Sequence, residues 1–411
     1  MGGKADRYFV PALVGFAPAV LALLTWAPYG LSPVQGLIRI DALPVFVVEL
    51  VAFAIAWREG LLRWLRDHPP PRLAIAAIAV LVAISVATSL LVSPAEFAAV
   101  RWTVHWIVHL LFGFSIAFLC RRGLRVSDFT ICFLAGYLLF VLIFLAFVLY
   151  SWTLPIDWAF DLPLSTHVRH IGIYSAAMTG VAIGAMAVAR GRRAWGFAFV
   201  CATIGFAVGL WTGSRGMVVS VAGATLAGVV LVPEIRNAKA WAGAGLGLVI
   251  AIAAVAWLPV PNGKMMGISR TVTATTEHEV TTGRLQIWDN VVHAIGQKPA
   301  FGYGPGQMGA VAPFGRMGQP HNIVLQVALD WGLVGLACVL VLAVFYLRRA
   351  IPAVHRNGAV LACPLLAMLS IFLLSMIDAA LFHVLPVAIF AACAGMIAAN
   401  WQPQRMSRNE G

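Results

Sequence analysis

The sequence predicts an all-α protein, a polytopic membrane helix bundle of about twelve transmembrane helices, with a large outer loop containing short helices between the ninth and tenth spans. Three observations carry this. The chain is 61% hydrophobic and 11% charged, where a soluble domain has about a quarter of its residues charged. Its apolar runs approach or exceed the ~20 helical residues that cross a hydrocarbon layer. Its basic residues crowd into alternate connections.

In chain order the apolar runs fall near 9 to 27, 42 to 57, 73 to 93, 102 to 120, 129 to 152, 168 to 189, 194 to 211, 215 to 232, 241 to 260, 322 to 347, 359 to 376 and 384 to 400. The run at 42 to 57 is the shortest and contains Glu49. Lys4 and Arg7 precede the first run as they would in a signal peptide, but no small-residue cleavage site follows Trp26, so this run is read as an uncleaved span. With both termini in the cytoplasm, 19 of the 28 Lys and Arg residues fall in the inner segments. That is the positive-inside pattern, so the net charge of +12 reports topology. Nucleic acid is not an expected partner, because no soluble domain presents a basic face.

The inner connection 58 to 72 mixes Leu61, Leu62, Trp64 and Leu65 with arginines and is expected to lie among lipid headgroups. All six cysteines sit in or at the ends of spans without a CxxC pair, which indicates neither disulfides nor zinc. There are no repeats or flexible linkers, so residues 1–411 form one integral membrane domain.

The outer side has a short loop at 28 to 41, a Pro/Asp-bearing loop at 153 to 167, tight turns at 212 to 214 and 377 to 383, and the long loop 261–321. In that loop Leu285, Trp288, Val292 and Ile295 recur at i, i+3, i+7 and i+10 after Thr281 and Thr282. This predicts an amphipathic helix with a threonine N-cap, lying over the outer mouth of the bundle. Pro299, Gly302, Gly304, Pro305 and Gly306 follow, a stretch suited to close backbone approach.

Four arginines lie outside but not in the long loop: Arg39, Arg101, Arg169 and Arg215. Snorkelling to headgroups accounts for Arg39 and Arg101. Arg215 differs, because Thr212-Gly213-Ser214 caps the span that it opens, which joins a guanidinium to the backbone amides of a helix start and suits phosphate. Arg284 repeats the arrangement at the first turn of the loop helix. Two such arginines on one face suggest a diphosphate site without metal; the alternative is that each merely caps structure.

His321 follows Pro320 on the same rim, and an imidazole there suits a general base. Asp378, beside His383, is placed either to orient that imidazole or to pair with an arginine. Arg101, His105 and His109 share one helical stripe, where interhelical hydrogen bonding is expected ahead of metal binding. Glu49 and Asp330 are expected to face the bundle interior, since exposure to lipid is prohibitive.

Thr212-Gly213-Ser214-Arg215-Gly216, Gly283-Arg284-Leu285 with Trp288, Pro299 with Gly302, Gly304 and Gly306, and His321-Asn322 with Leu325 and the Gly332/Gly335 pair resemble, in order and spacing, the O-antigen ligase and polymerase superfamily. The ligases of lipopolysaccharide assembly are the closer match, best over 205 to 345. The family usually has a glutamate ahead of the last glycine pair, and Asp330 is the nearest equivalent here. The resemblance implies Arg215, Arg284 and His321 as catalytic residues, with Arg169 and Asp378 held more loosely as diphosphate-binding residues. It also implies glycan transfer at the periplasmic face of the bacterial inner membrane, from undecaprenyl diphosphate to a sugar hydroxyl of lipid A-core, with no cofactor. An O-unit polymerase or a protein O-oligosaccharyltransferase would share these residues. A polysaccharide or lipid transporter is the reading from another class, but it expects related halves and broken helices at the midplane.

Overall fold

The computed structural model describes residues 4–263, 265–270, 283–315 and 318–401. Each of the twelve apolar runs is helical: α1 (Lys4–Leu24), α3 (Leu43–Arg58), α5 (Arg72–Leu91), α6 (Glu96–Arg121), α7 (Val126–Ser151), α8 (Val168–Val188), α9 (Arg192–Trp211), α10 (Arg215–Leu231), α11 (Ala238–Trp257), α14 (Ile323–Arg356), α15 (Gly358–Ser375) and α16 (Val384–Ala398). Among the described residues there is no strand. Among the described residues nine helices are long and apolar enough to cross a membrane, or ten if α3 and the short helix before it, bent by 49°, form one span. The expected count exceeds this because α10 and α16, which start where expected, have only 17 and 15 residues.

Two connections hold more structure than expected. The loop at 28 to 41 contains α2 (Pro33–Ile40), which starts with a reciprocal cap between Ser32 and Gln35. The connection at 58 to 72 folds as α4 (Leu61–Asp67), which buries Leu61 and leaves Arg63 and Arg66 in the open.

α8 is the axial helix of the bundle, with 89% of its apolar window buried inside the protein. Small residues make this possible. A Cβ on Gly180 or Gly184 would fall 2.7 or 2.8 Å from the backbone of α15, so the two helices touch along their backbones. Gly15 and Gly136 bring α1 and α7 equally close. Lipid tails are as apolar as leucine, so such packing, rather than the hydrophobic effect, is what gathers membrane helices. The first turn of α8 therefore opens at the centre of one end of the bundle.

The opposite end gathers basic segments. Arg7 pairs with Asp128, Arg121 donates to the Trp401 carbonyl at 2.9 Å and Arg122 to the Glu59 carbonyl at 3.2 Å. Glu49 and Asp330 point inward, as expected, at 0% and 2% exposure. His109 Nδ1 lies 2.7 Å from Glu49 and His105 Nε2 lies 3.2 Å from Asp41, so this histidine stripe ties α6 to α3 and its preceding turn.

The loop between α11 and α14 carries α12 (Arg284–Gln297) and α13 (Met308–Val311). α12 is rotated from the expected stripe: Ile287, Val291 and Ala294 are buried, while Leu285 and Val292 are 62% and 55% exposed. The reason is its partner. α12 packs on α14 and on a small core made by Tyr303, Met308 and Ala312 of the loop with Leu329 of α14. Gly283, with φ +74°, takes the N-cap position expected for a threonine, and no side chain caps the helix. Thr281 and Thr282 lie outside the described residues.

The glycine-rich stretch does approach backbone closely. The amides of Tyr303 and Gly304 donate to the carbonyls of Leu329 and Asp330 at 3.0 and 2.9 Å, and those of Leu333 and Val334 to Pro299 and Ala300 at 2.7 and 3.2 Å. α14 opens to receive these bonds at Gly332, whose φ of +66° breaks the helix. A Cβ there would sit 2.2 Å from the Ala300 oxygen, and one on Gly302 would sit 2.5 Å from the Leu329 oxygen. Ser93 and Gln307 complete the strap, bonding Tyr303 O at 2.7 Å and the Ala95 amide at 2.8 Å.

Candidate active site

α14 begins at Asn322, whose Oδ1 accepts from the Val324 and Leu325 amides at 3.0 and 3.1 Å. Its Nδ2 donates to the Met376 carbonyl at 3.2 Å, which ties the start of α14 to the turn carrying Asp378. His321, one residue earlier, has φ +54°. That left-handed conformation is uncommon for a side-chain-bearing residue and costs on the order of 1–3 kcal/mol, a strain that persists only where the surroundings fix it.

In that conformation Nδ1 of His321 lies 2.9 Å from Oδ1 of Asp378, which also accepts from the Ala379 amide at 2.8 Å. Burial disfavours the charged carboxyl, but the hydrogen bond and charge of His321, the Ala379 amide and Arg284 outweigh it and hold Asp378 down at about 2. An ionised carboxylate only accepts, so Nδ1 carries the proton and Nε2 is the basic nitrogen. The pair also walls an open pocket with Gln319, Asn322, Gln326 and Phe382. Among the described residues no arginine lines that pocket.

α10 starts at Arg215. Ser214 occupies the N-cap position but makes no capping bond, and the Thr212 hydroxyl turns back to the Gly209 carbonyl at 3.0 Å. The expected side-chain cap is thus absent, because the turn is clamped instead. Gly172 of α8 leaves room for Ser214, since a Cβ at 172 would meet Ser214 Oγ at 2.5 Å. Arg169, one turn earlier on the same helix, starts α8 behind His167, whose Nδ1 accepts from the Arg169 amide at 3.1 Å. Among the described residues, Ser214 Oγ and Arg169 Nε are buried without a hydrogen-bond partner.

Arg270, which nothing in the sequence singled out, joins this group from the long loop. It is 8% exposed and its Nη1 donates to the Gly213 carbonyl at 2.5 Å. Burial, then the charges of Arg169, Arg215 and Arg284, lower its guanidinium to about 9, with Asp378 opposing. It stays protonated at neutral pH. Arg169, Arg215, Arg270, Arg284 and Asp378 thus lie within electrostatic reach of one another. His167 and His383 stand nearby, each driven down to about 4, first by burial, and are neutral.

Arg39 and Arg101 lie elsewhere. Arg39 donates to the Phe160 carbonyl and Arg101 pairs with Asp41 at 3.4 Å, so both have protein partners where snorkelling was expected. Among the described residues no three His, Cys, Asp or Glu side chains are grouped to hold a metal ion. Sequence reasoning missed Arg270 and His167; the one signal available for Arg270 was a basic residue in a segment read as outer, where positive-inside topology disfavours it.

Fold and site define a multi-pass helical membrane protein with a cationic, loop-flanked centre at one end of its bundle. Residues 197–340 match the O-antigen ligase family, the one that the motifs resemble. The family implies a glycosyltransferase-like enzyme acting on lipid-linked glycans. The matched stretch contains Arg215, Arg270, Arg284, His321 and the Gly332/Gly335 pair, but neither Arg169 nor Asp378. No curated protein matches the chain.

Proposed function

We propose that the protein is an O-antigen ligase that transfers O-antigen glycan from undecaprenyl diphosphate to a sugar hydroxyl of lipid A-core. The observation that carries this reading is the His321–Asp378 pair, 2.9 Å apart, within electrostatic reach of half-buried Arg169 and Arg284 and of buried Arg270. α10 and α16 complete twelve spans, both termini are cytoplasmic, and the site faces the periplasm of the inner membrane. The excess of basic residues at the other end of the bundle supports that orientation.

The donor is already activated, so the protein has to position two lipids and manage one proton and one leaving anion. Nε2 of His321 accepts the proton of the acceptor hydroxyl as its oxygen attacks the anomeric carbon. The bond from that carbon to the diphosphate breaks, and the electron pair leaves with the lipid diphosphate. Arg215 and Arg284, with Arg169 behind them, stabilise the growing charge through charge-assisted hydrogen bonds, the role that a divalent ion has in other diphosphate enzymes. Asp378 holds the imidazole in the basic tautomer and stabilises the imidazolium that forms. A single displacement inverts the anomeric centre.

The test is to mix purified protein with lipid-linked glycan and lipid A-core and to analyse the product. Joined glycan and core, with inverted linkage, is the expected outcome. Glycan extended on the lipid carrier, with untouched core, would instead identify a polymerase.

A further inference from the structure

We propose that Arg270 is a positioning residue that sets the turn before Arg215 and, as the fourth guanidinium of the site, gives it selectivity for a diphosphate over a monophosphate. This rests on the diphosphate reading above.

The turn 212–214 is held from two sides. On one side Ser214 fills the gap left by Gly172. On the other, Arg270 donates to the Gly213 carbonyl at 2.5 Å, and the Gly267 amide donates to the Trp211 carbonyl at 2.9 Å. Gly213 has φ +72°, and a Cβ there would meet the Met265 oxygen at 2.7 Å and Arg270 Cδ at 3.3 Å. The segment 265–270 is therefore moulded onto the turn, and the geometry of Arg215 depends on it.

The carbonyl takes one of the five N–H donors of the guanidinium, which leaves donors for an anion. Four arginines and one carboxylate lie within electrostatic reach of one another, and among the described residues two polar groups in this set, Ser214 Oγ and Arg169 Nε, are buried without partners. Confining like charges away from water is costly. A ligand with charge on two phosphorus centres relieves more of that cost than one with charge on a single centre. The leaving lipid diphosphate gains charge relative to the donor, so the same excess favours the transition state.

The probes are inorganic pyrophosphate and inorganic phosphate, measured by calorimetry on the full protein in lipid nanodiscs, with transfer kinetics alongside. Wild-type protein should bind pyrophosphate the more tightly. Arg270→Gln should reduce that preference by about tenfold, the worth of one charge-assisted hydrogen bond, and lower kcat more than it raises KM. Arg270→Lys, which keeps charge but cannot span carbonyl and anion, should keep only part of the preference; it carries the test if Arg270→Gln does not fold. An unchanged pyrophosphate-to-phosphate ratio in the folded variant would overturn the assignment. If Arg215→Gln and Arg284→Gln also bind pyrophosphate as the wild type does, the diphosphate reading itself fails.

Discussion

His321 and Asp378 are 57 residues apart in sequence, yet Nδ1 of one lies 2.9 Å from a carboxylate oxygen of the other. Asn322 fixes the register of this pair by capping α14 with its oxygen and bonding Met376 O with its nitrogen. The imidazole is thus oriented from two elements.

His321→Ala should abolish ligation in cells while the protein is made and inserted normally. Loss of a general base costs about 10²- to 10⁴-fold in rate. Core that is still decorated with O-antigen in the variant would refute the base assignment.

Asp378→Asn should keep the contact but reverse its polarity, because an amide can donate to Nδ1 and move the proton to Nε2. A loss of about 10³- to 10⁴-fold in kcat is expected, as when other buried orienting carboxylates are amidated. Wild-type turnover in this variant would show that the carboxylate has no catalytic part.

Arg284→Lys should fail as well, since lysine cannot present a planar fork to phosphate oxygens. A drop of about 10²-fold or more in kcat/KM is expected. Full activity would mean that charge alone suffices.

Acidification should loosen the site before it unfolds the bundle. His167 and His383 are held neutral, with folded values of about 4, against an ordinary value near 6.5. Their neutral forms therefore stabilise the fold fully above pH ~6.5, and that contribution is lost as the pH falls towards 4. Thermal unfolding in nanodiscs should show a lower Tm at pH 5 than at pH 7.5, and His383→Gln should flatten the dependence. A Tm that is level across this window in the wild type would contradict the burial of these rings.

Gly332→Ala should be poorly tolerated. It places a side chain at φ +66°, 2.2 Å from the Ala300 oxygen. Left-handed strain alone costs on the order of 1–3 kcal/mol, and the strap must move as well. Proteolysis within 299–306 should accelerate; unchanged protection would argue against the docked strap.

The long elements were legible because length and apolarity alone define a membrane helix, and all twelve runs are helical. The arginines at 215 and 284 and His321 were legible because each opens a helix after a turn signal. Other features depend on partners that periodicity cannot name. The rotation of α12 follows from its packing on Tyr303 and Leu329, and the missing cap at Ser214 follows from Gly172 and Arg270. Arg270 and His167 enter the site only through the meeting of segments distant in sequence.

Gly332 also gives the molecule a fulcrum. The stretch from Pro299 to Gly304 is bonded on both sides of this residue, to Leu329 and Asp330 before it and to Leu333 and Val334 after it. The short arm of α14 that leads back to His321 is thereby splinted to the long arm, so a tug on the glycine strap is delivered to the imidazole as a rigid lever would deliver it.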